Sequence, residues 1–315
     1  FNNLEGFVAG PFTFNSGNRI WHLPVFYHFP ENNFDISNLE NIHQIPRLQE
    51  KEIQETSFEA YKGNFNHFKT LFEQGVLEKA VLSRIQTTHS MKRDSAPHFF
   101  ENLRNAYPHA MVYILNIPEK GLWVGATPET LLRQERHAFV TESIAATRST
   151  GTTSIAWTEK EITEQDLVTD YIREVLENNH IKIYRMEGPV DHLAGNVEHL
   201  KTDFEIPYDT LLPRMTGFIR DLHPTPAVCG LPKDNAYNEI LNTEDHDREF
   251  YSGFIGPVGL QKKLQLFVNL RCMQVFDNYA ALYVGGGLTK DSVLDMEWKE
   301  TEQKAQTLLN IAEQV

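Results

Sequence analysis

Cysteine and positive charge are both scarce in this chain, and each shortage removes a class of protein. Of 315 residues only Cys229 and Cys272 are cysteines. Two thiols build no disulfide framework, so a reducing cytoplasm is the expected compartment. Lys and Arg number 29 against 43 Asp and Glu, which leaves a net charge of −14. That balance argues against nucleic acid or an anionic membrane as the main partner. An anionic small molecule would need a local cluster of Lys and Arg, or a metal. No apolar run approaches the ~18–20 residues of a membrane span, and no signal peptide is visible. The chain opens at Phe1 rather than Met, so further residues are expected upstream. Gly/Ser linkers and internal repeats are missing as well. What is abundant is core-forming material, with 41% hydrophobic residues and 20 Phe. A length of this order suits two domains of roughly 150 residues or one large one. Without a linker, one interleaved catalytic domain over 1–315 is expected, with N-terminal strands (about 1–55) packing onto it.

The pattern changes along the chain. Phe7–Phe14 and Ile20–Phe29 are rich in aromatic and β-branched residues and predict strands. An Asn-rich stretch around Glu31–Glu50 predicts a long loop. Thr56-Ser-Phe-Glu59 reads as a capping box opening a helix that ends at Gly75. Lys79–Thr87 alternates like a strand, and a helix is predicted over Pro97–Tyr107. Met111–Ile117, Leu122–Gly125, Thr130–Gln134 and His137–Ile144 predict successive short strands. In the second half, Thr158-Glu-Lys-Glu161 is another capping box, opening a helix to about Asn179. Further helices fit Tyr208–Leu222 and Asn235–Leu241. Phe254–Leu260, Leu264–Phe276 and Tyr279–Val284 predict strands, and a closing helix is predicted from about Ser292 to Glu313. Strands in runs and helices in runs predict an α+β fold with antiparallel sheets.

Several residues have the chemistry of a site. Glu297, Glu300 and Lys304 fall on one helix face by their i, i+3, i+7 spacing. Two such carboxylates suit a hard cation. Gly285-Gly286-Gly287, just before them, lets backbone N–H groups approach an anion closely. Lys79 starts an apolar strand; a desolvated lysine loses affinity for its proton and becomes a base. Glu129 follows Thr-Pro where two strands turn, and in an apolar setting its carboxyl holds its proton and becomes an acid. Glu161 and Glu164 repeat the i, i+3 carboxylate pattern. Glu161 already has a role as the capping partner of Thr158, which makes Glu164 the better ligand; Glu164 and Glu300 together would make a two-carboxylate Mg²⁺ site. Two prolines and a Gly stiffen Leu222–Gly230, a loop fit to present peptide groups to a ligand. Arg271 lies within an apolar strand, where a buried guanidinium needs an anionic partner. Each feature taken alone also fits an ordinary solvated charge or turn.

Together these segments resemble the chorismate-utilising enzymes, and within them the isochorismate synthases. The resemblance runs from about Gly6 to the end, and seven segments carry it in order. They are Lys79–Arg84, Thr127–Leu132, Thr141–Thr147, Glu164–Val168, His223–Ala227, Arg248–Gly253 and Gly285–Lys304. The resemblance implies a large antiparallel β-sandwich core flanked by helices, the fold of anthranilate synthase component I. It implies chorismate as substrate and Mg²⁺ as cofactor, with the metal held by Glu164 and Glu300 and with Glu161 and Glu297 nearby. Lys79 is implied as the base that activates water and Glu129 as the acid. Thr147, His199, Ala227, Arg271, Gly285, Gly287 and Lys304 are implied as substrate-binding. Relatives that use ammonia typically carry Gln at the place of Lys79 and Thr or Ser at that of Ala227, so water is the expected nucleophile and no glutaminase subunit is expected. Ala145 stands where aminodeoxychorismate synthases often place a nucleophilic Lys. Ala146 departs from the family motif, which usually has Gly there. The resemblance leaves a salicylate synthase open, since it would use the same residues and then eliminate pyruvate; an ammonia-dependent synthase and a non-catalytic binding protein are the remaining readings. A monomer or weak dimer is expected.

Overall fold

Leu200, Thr202, Phe204 and Ile206 recur every second residue and are all buried, while their neighbours are less so. That period turns one face of a strand to a core. Repeated along the chain, it builds two antiparallel sheets. The structure is a computed structural model that describes residues 5–13, 19–24, 53–149, 156–194, 197–260 and 263–315. The strands are β1 (Gly6–Gly10), β2 (Trp21–Pro24), β3 (Lys79–Thr88), β4 (Met111–Ile117), β5 (Gly121–Thr127), β6 (Thr130–Gln134) and β7 (Ala138–Ser149). They continue with β8 (Arg185–Ala194), β9 (Val197–Pro207), β10 (Gly230–Leu231), β11 (Phe254–Val258), β12 (Gln265–Val268), β13 (Cys272–Val275) and β14 (Ala280–Leu288). The helices are α1 (Phe58–Glu73), α2 (Ala96–Ala106), α3 (Glu159–Asn178), α4 (Tyr208–Leu211), α5 (Met215–Leu222), α6 (Lys233–Thr243) and α7 (Leu294–Ala312).

An eight-stranded sheet runs β2-β1-β11-β12-β6-β7-β9-β8, and a six-stranded sheet runs β10-β3-β14-β13-β5-β4. The sheets face each other across a core that joins Ala9 and Ile255 of the first to Ile85, Trp123 and Tyr283 of the second. Tyr171, Ile172 and Val175 of α3 and Phe218 of α5 cover the outer face of the larger sheet. Phe99 and Leu103 of α2 and Leu308 and Ile311 of α7 cover that of the smaller. The layers are therefore helix, sheet, sheet, helix, which is the sandwich the resemblance implies.

Local differences from the expected elements have physical reasons. The N-cap of α1 is Ser57, whose side chain accepts from Ala60 N. Thr56 instead accepts from Ile85 N at 3.0 Å, tying the helix entrance to β3. The capping box at Thr158 and Glu161 is present. The predicted helix over Tyr208–Leu222 is split by a 3₁₀ turn at Leu212–Arg214, where Pro213 has no N–H for a continuous α-helix. The predicted strand Leu264–Phe276 is two strands, β12 and β13, which belong to different sheets. The hairpin of β8 and β9, paired from Arg185↔Glu205 to Ala194↔Val197, was not expected from the pattern. β8 is an exposed edge with Pro189, a sequence that reads as loop. The Asn-rich stretch around 31–50 lies outside the described residues.

Candidate active site

The site forms where β3 and β14 lie side by side, with Gly285 opposite Ser83, Gly286 opposite Leu82 and Gly287 opposite Val81. The glycine triplet is therefore strand, not the turn that an anion cradle would need. What the missing side chains supply is room. A Cβ on Gly285 would stand 2.8 Å from Tyr251 Oη, and one on Gly286 would stand 3.4 Å from Glu297 Oε2 and 3.8 Å from Glu300 Oε1. One on Gly287 would meet Lys79 Cε at 3.4 Å. The bare strand lets the first turns of α7 and the Lys79 side chain close over it.

Lys79 opens β3 and pairs with Leu231 of β10. The residue is half-buried, with its amine surrounded by protein. Burial pushes the amine below the ordinary lysine value; Glu164 and then Glu129 draw it back up, and Lys304 lowers it. Glu129 sits between β5 and β6, its backbone carbonyl accepting from Val268 N at 2.9 Å. Burial raises its carboxyl to about 7, with Lys79 opposing and Glu142 reinforcing the rise. These mutual influences put the amine and the carboxyl within electrostatic reach of each other. A carboxyl raised from 4.5 to about 7 costs stability as pH climbs through that interval, because the folded state then holds a charge it disfavours. Glu129→Gln should therefore be more stable than the parent at pH 8 by about 3 kcal/mol and should lose that advantage below pH 4.5. Urea midpoints at pH 4 and pH 8 check this; equal differences at both would contradict it.

The carboxylates come from two helices. Buried Gln165 pins α3 to the larger sheet, its side-chain nitrogen donating to Ser143 Oγ at 2.8 Å and Thr202 Oγ1 at 3.1 Å. That fixes the neighbouring Glu164, whose charge reaches Lys79. The Glu161 carboxylate accepts from Thr158 N at 2.7 Å and Thr158 Oγ1 at 2.9 Å, so it serves the helix cap. On α7, Glu300 pairs with Lys304 at 2.6 Å, and Lys304 donates to Gly285 O at 3.0 Å. Among the described residues no three His, Cys, Asp or Glu side chains are grouped as a ready metal cluster. The donor chemistry still fits a hard cation: Glu297 and Glu300 both face Gly286, where any side chain would narrow the space. An ion that keeps most of its water needs only one or two protein carboxylates.

A cavity of about 160 Å³ brings together Ala227, Arg271, Gly285, Gly287 and Lys304, with Tyr251 and Tyr283 beside them. Five of the seven expected substrate residues thus share one space. Arg271 is not in a strand as expected. It lies in the crossing from β12 to β13 with φ 46°, and it is exposed. Its guanidinium needs no buried anion and stands at the cavity instead. Thr147 and His199 are register partners across β7 and β9; His199 is not among the described residues that line the cavity. The β7–β9 register steps between Ala145 and Thr147, so Ala146 occupies a bulge where the family motif has Gly. A wider cleft of about 950 Å³ beside α3 and Lys233 holds none of the expected site residues.

One feature beneath the cavity escaped the sequence reading. Glu244 Oε1 accepts from Ser83 N at 2.7 Å, Ser83 Oγ at 2.9 Å and Arg248 Nη2 at 2.6 Å. Arg248 also donates to Val228 O at 2.9 Å and Val81 O at 2.6 Å, two residues that line the cavity. The i, i+4 Glu–Arg spacing was the available signal, but it reads equally as a surface pair.

A neutralisable amine and a proton-retaining carboxyl within electrostatic reach of each other are the equipment of an acid–base enzyme acting on a small molecule. Residues 30–313 match the chorismate binding enzyme family, and the chain belongs to that family. It is 26% identical over 277 residues to the vibriobactin-specific isochorismate synthase of Vibrio cholerae, covering 85% of this chain and 70% of that one. It is 30% identical over 246 residues to isochorismate synthase EntC of Escherichia coli, covering 75% of this chain and 62% of that one. The fold matches the solved structure of MenF, the menaquinone-specific isochorismate synthase from Escherichia coli. That match has a TM-score of 0.72 at 23% identity, over 85% of this chain and 64% of that one.

Proposed function

We propose that this chain is an isochorismate synthase, converting chorismate reversibly to isochorismate. The observation that carries the reading is Lys79 and Glu129 at one site with opposite shifts: an amine that gives up its proton more readily and a carboxyl raised to about 7. Neutral Lys79 removes a proton from water as the oxygen attacks C2 of the ring. The ring double bonds shift, the C4–O bond breaks, and Glu129 delivers its proton to the departing hydroxyl. Water is consumed and water is released, so no redox partner is required. Each proton transfer is worth about 10²–10⁴-fold. Arg271 and Lys304 hold the substrate carboxylates at the mouth of the cavity. Thr147 and His199 are the remaining substrate contacts that the family resemblance implies. Ala227 leaves space where an ammonia-using relative carries a hydroxyl side chain.

In this reading Glu164 and Glu300 hold Mg²⁺, with Glu297 beside them and Glu161 supporting α3 through its cap. The ion, when bound, neutralises the ring carboxylate and orients the ring. The chain works as one catalytic domain over 1–315, in the cytoplasm, as a monomer or weak dimer. It needs no glutaminase subunit, because no ammonia enters the reaction. Two buried, unpaired cysteines agree with a reducing compartment, and among the described residues no helix is long and apolar enough to cross a membrane. The product serves menaquinone or siderophore biosynthesis, both of which begin with isochorismate.

The test is incubation of the protein with chorismate and Mg²⁺, with and without EDTA, and separation of the products by chromatography. Isochorismate alone, abolished by EDTA, is expected. Salicylate with pyruvate would move the chain to the lyase branch of the same chemistry. An aminated product formed only with ammonium would overturn the role of Lys79 as the base for water.

A further inference from the structure

We propose that Tyr61 is a positioning residue for the α7 carboxylates: its hydroxyl, unpaired in this structure, is the donor that Glu297 takes up when a divalent cation binds beside Gly286. The inference rests on the metal reading above and adds a residue from α1 to it. Tyr61 is fully buried. Its ring meets Trp298 edge-on at 5.3 Å and 70°, and Phe58 meets the same indole at 5.2 Å and 87°. Trp298 follows Glu297 directly, so this packing brings Tyr61 to the turn of α7 that bears the carboxylate.

The Tyr61 hydroxyl oxygen is buried and makes no hydrogen bond among the described residues. Other buried phenols are satisfied. Tyr113 donates to Asn269 Oδ1 at 2.8 Å and Tyr171 to Asp221 O at 2.6 Å. A buried hydroxyl left unpaired costs about 1–3 kcal/mol, and an exception of this kind asks for a reason. The surroundings supply one. Burial first, and then the charge of Glu297, raise the Tyr61 pKa; Arg84 opposes and Glu300 reinforces the rise. Tyr61 therefore lies within electrostatic reach of two carboxylates, on the turn its ring packs against. Those carboxylates face Gly286 on their other side. A donor behind a metal-binding carboxylate fixes its orientation, and losing such a donor typically costs 10–100-fold in affinity.

The experiment compares Mn²⁺ binding to the parent protein and to Tyr61→Phe, by calorimetry and by the paramagnetic resonance of free Mn²⁺, with melting temperatures alongside. About 10-fold weaker Mn²⁺ binding is expected, with an unchanged or raised melting temperature, since Phe removes an unpaired hydroxyl and keeps the ring. Tyr61→Phe added to Glu297→Gln should bring no further loss, because Tyr61 acts through Glu297. Equal Mn²⁺ affinity in parent and Tyr61→Phe would overturn the role of Tyr61 while leaving the metal reading intact. A parent protein that binds no Mn²⁺ would overturn both.

Discussion

Lys79→Ala is expected to lower isochorismate formation by roughly 10³-fold, the middle of the range for a positioned proton-transfer group. Chorismate affinity should change little, because Arg271 and Lys304 remain to hold the carboxylates. The pH profile adds a second reading of the same variant. In the proposed mechanism, turnover needs Lys79 neutral and Glu129 protonated, so activity should rise as Lys79 loses its proton and fall as Glu129 loses its own at about 7. The two groups influence each other, so the limbs of that bell belong to the pair. Lys79 lowers the pKa of Glu129; without it, Glu129 should hold its proton to higher pH. Titrating Glu129 in Lys79→Ala by NMR should therefore give a pKa above that of the parent. Unchanged turnover would remove Lys79 from the base role, and a Glu129 pKa that falls would contradict the placement of the two groups.

Arg248→Leu should be the most damaging single change to stability, costing about 3–5 kcal/mol. Both partners of the Arg248–Glu244 pair are almost wholly buried, with side-chain exposures of 1% and 2%. Removing the guanidinium leaves the Glu244 carboxylate charged in the interior and strands the carbonyls of Val81 and Val228. Burial alone would raise the Glu244 pKa, but Arg248, its hydrogen bonds and the Ser83 amide outweigh burial and hold it below the ordinary value. A depressed carboxylate contributes stability above the unfolded-state pKa and loses it as pH falls through the folded one. In Arg248→Leu that sign reverses, and the variant should gain stability on acidification where the parent loses it. The double change Glu244→Leu with Arg248→Leu should recover much of the loss, since a hydrophobic replacement of a buried pair is often near neutral. A single-variant cost below about 1 kcal/mol would contradict this account. Because Val81 and Val228 line the cavity, the same variant should also weaken chorismate binding.

Much of the molecule was legible because local rules and tertiary needs agree. The alternation in β4 and the apolar stripe of α7 each demand a buried face and each receive one, and the capping box of α3 forms between the two residues that spell it. The acid, the base and the α7 carboxylates could be nominated from residue type and helix spacing. The β8–β9 hairpin was not legible, since its outer strand is an exposed edge held by pairing and not by a hydrophobic face. Arg271 was misplaced for a related reason. The stretch from Leu264 to Phe276 is rich in apolar residues with no Gly or Pro to break it, but the chain leaves one sheet for the other at Asn269–Arg271. Nothing in a hydrophobic period marks a change of sheet. The glycine triplet shows the same limit, since only its pairing with β3 tells a strand from a turn.

By itself the sequence determined the α+β class, the layered antiparallel core and the chemical types of the site residues, because these follow from periodicity, capping and the chemistry of side chains. The tertiary structure alone decided which of those residues meet. The roles proposed for Lys79, Glu129 and Glu164 rest on their mutual influence and burial, and those are set by two sheets stacking and two helices closing over a bare glycine strand. Tyr61 and the Glu244–Arg248 pair belong to the same category. Their meaning lies in long-range contacts, and a pKa or an unpaired hydroxyl is a property of the surroundings that no local pattern of residues encodes.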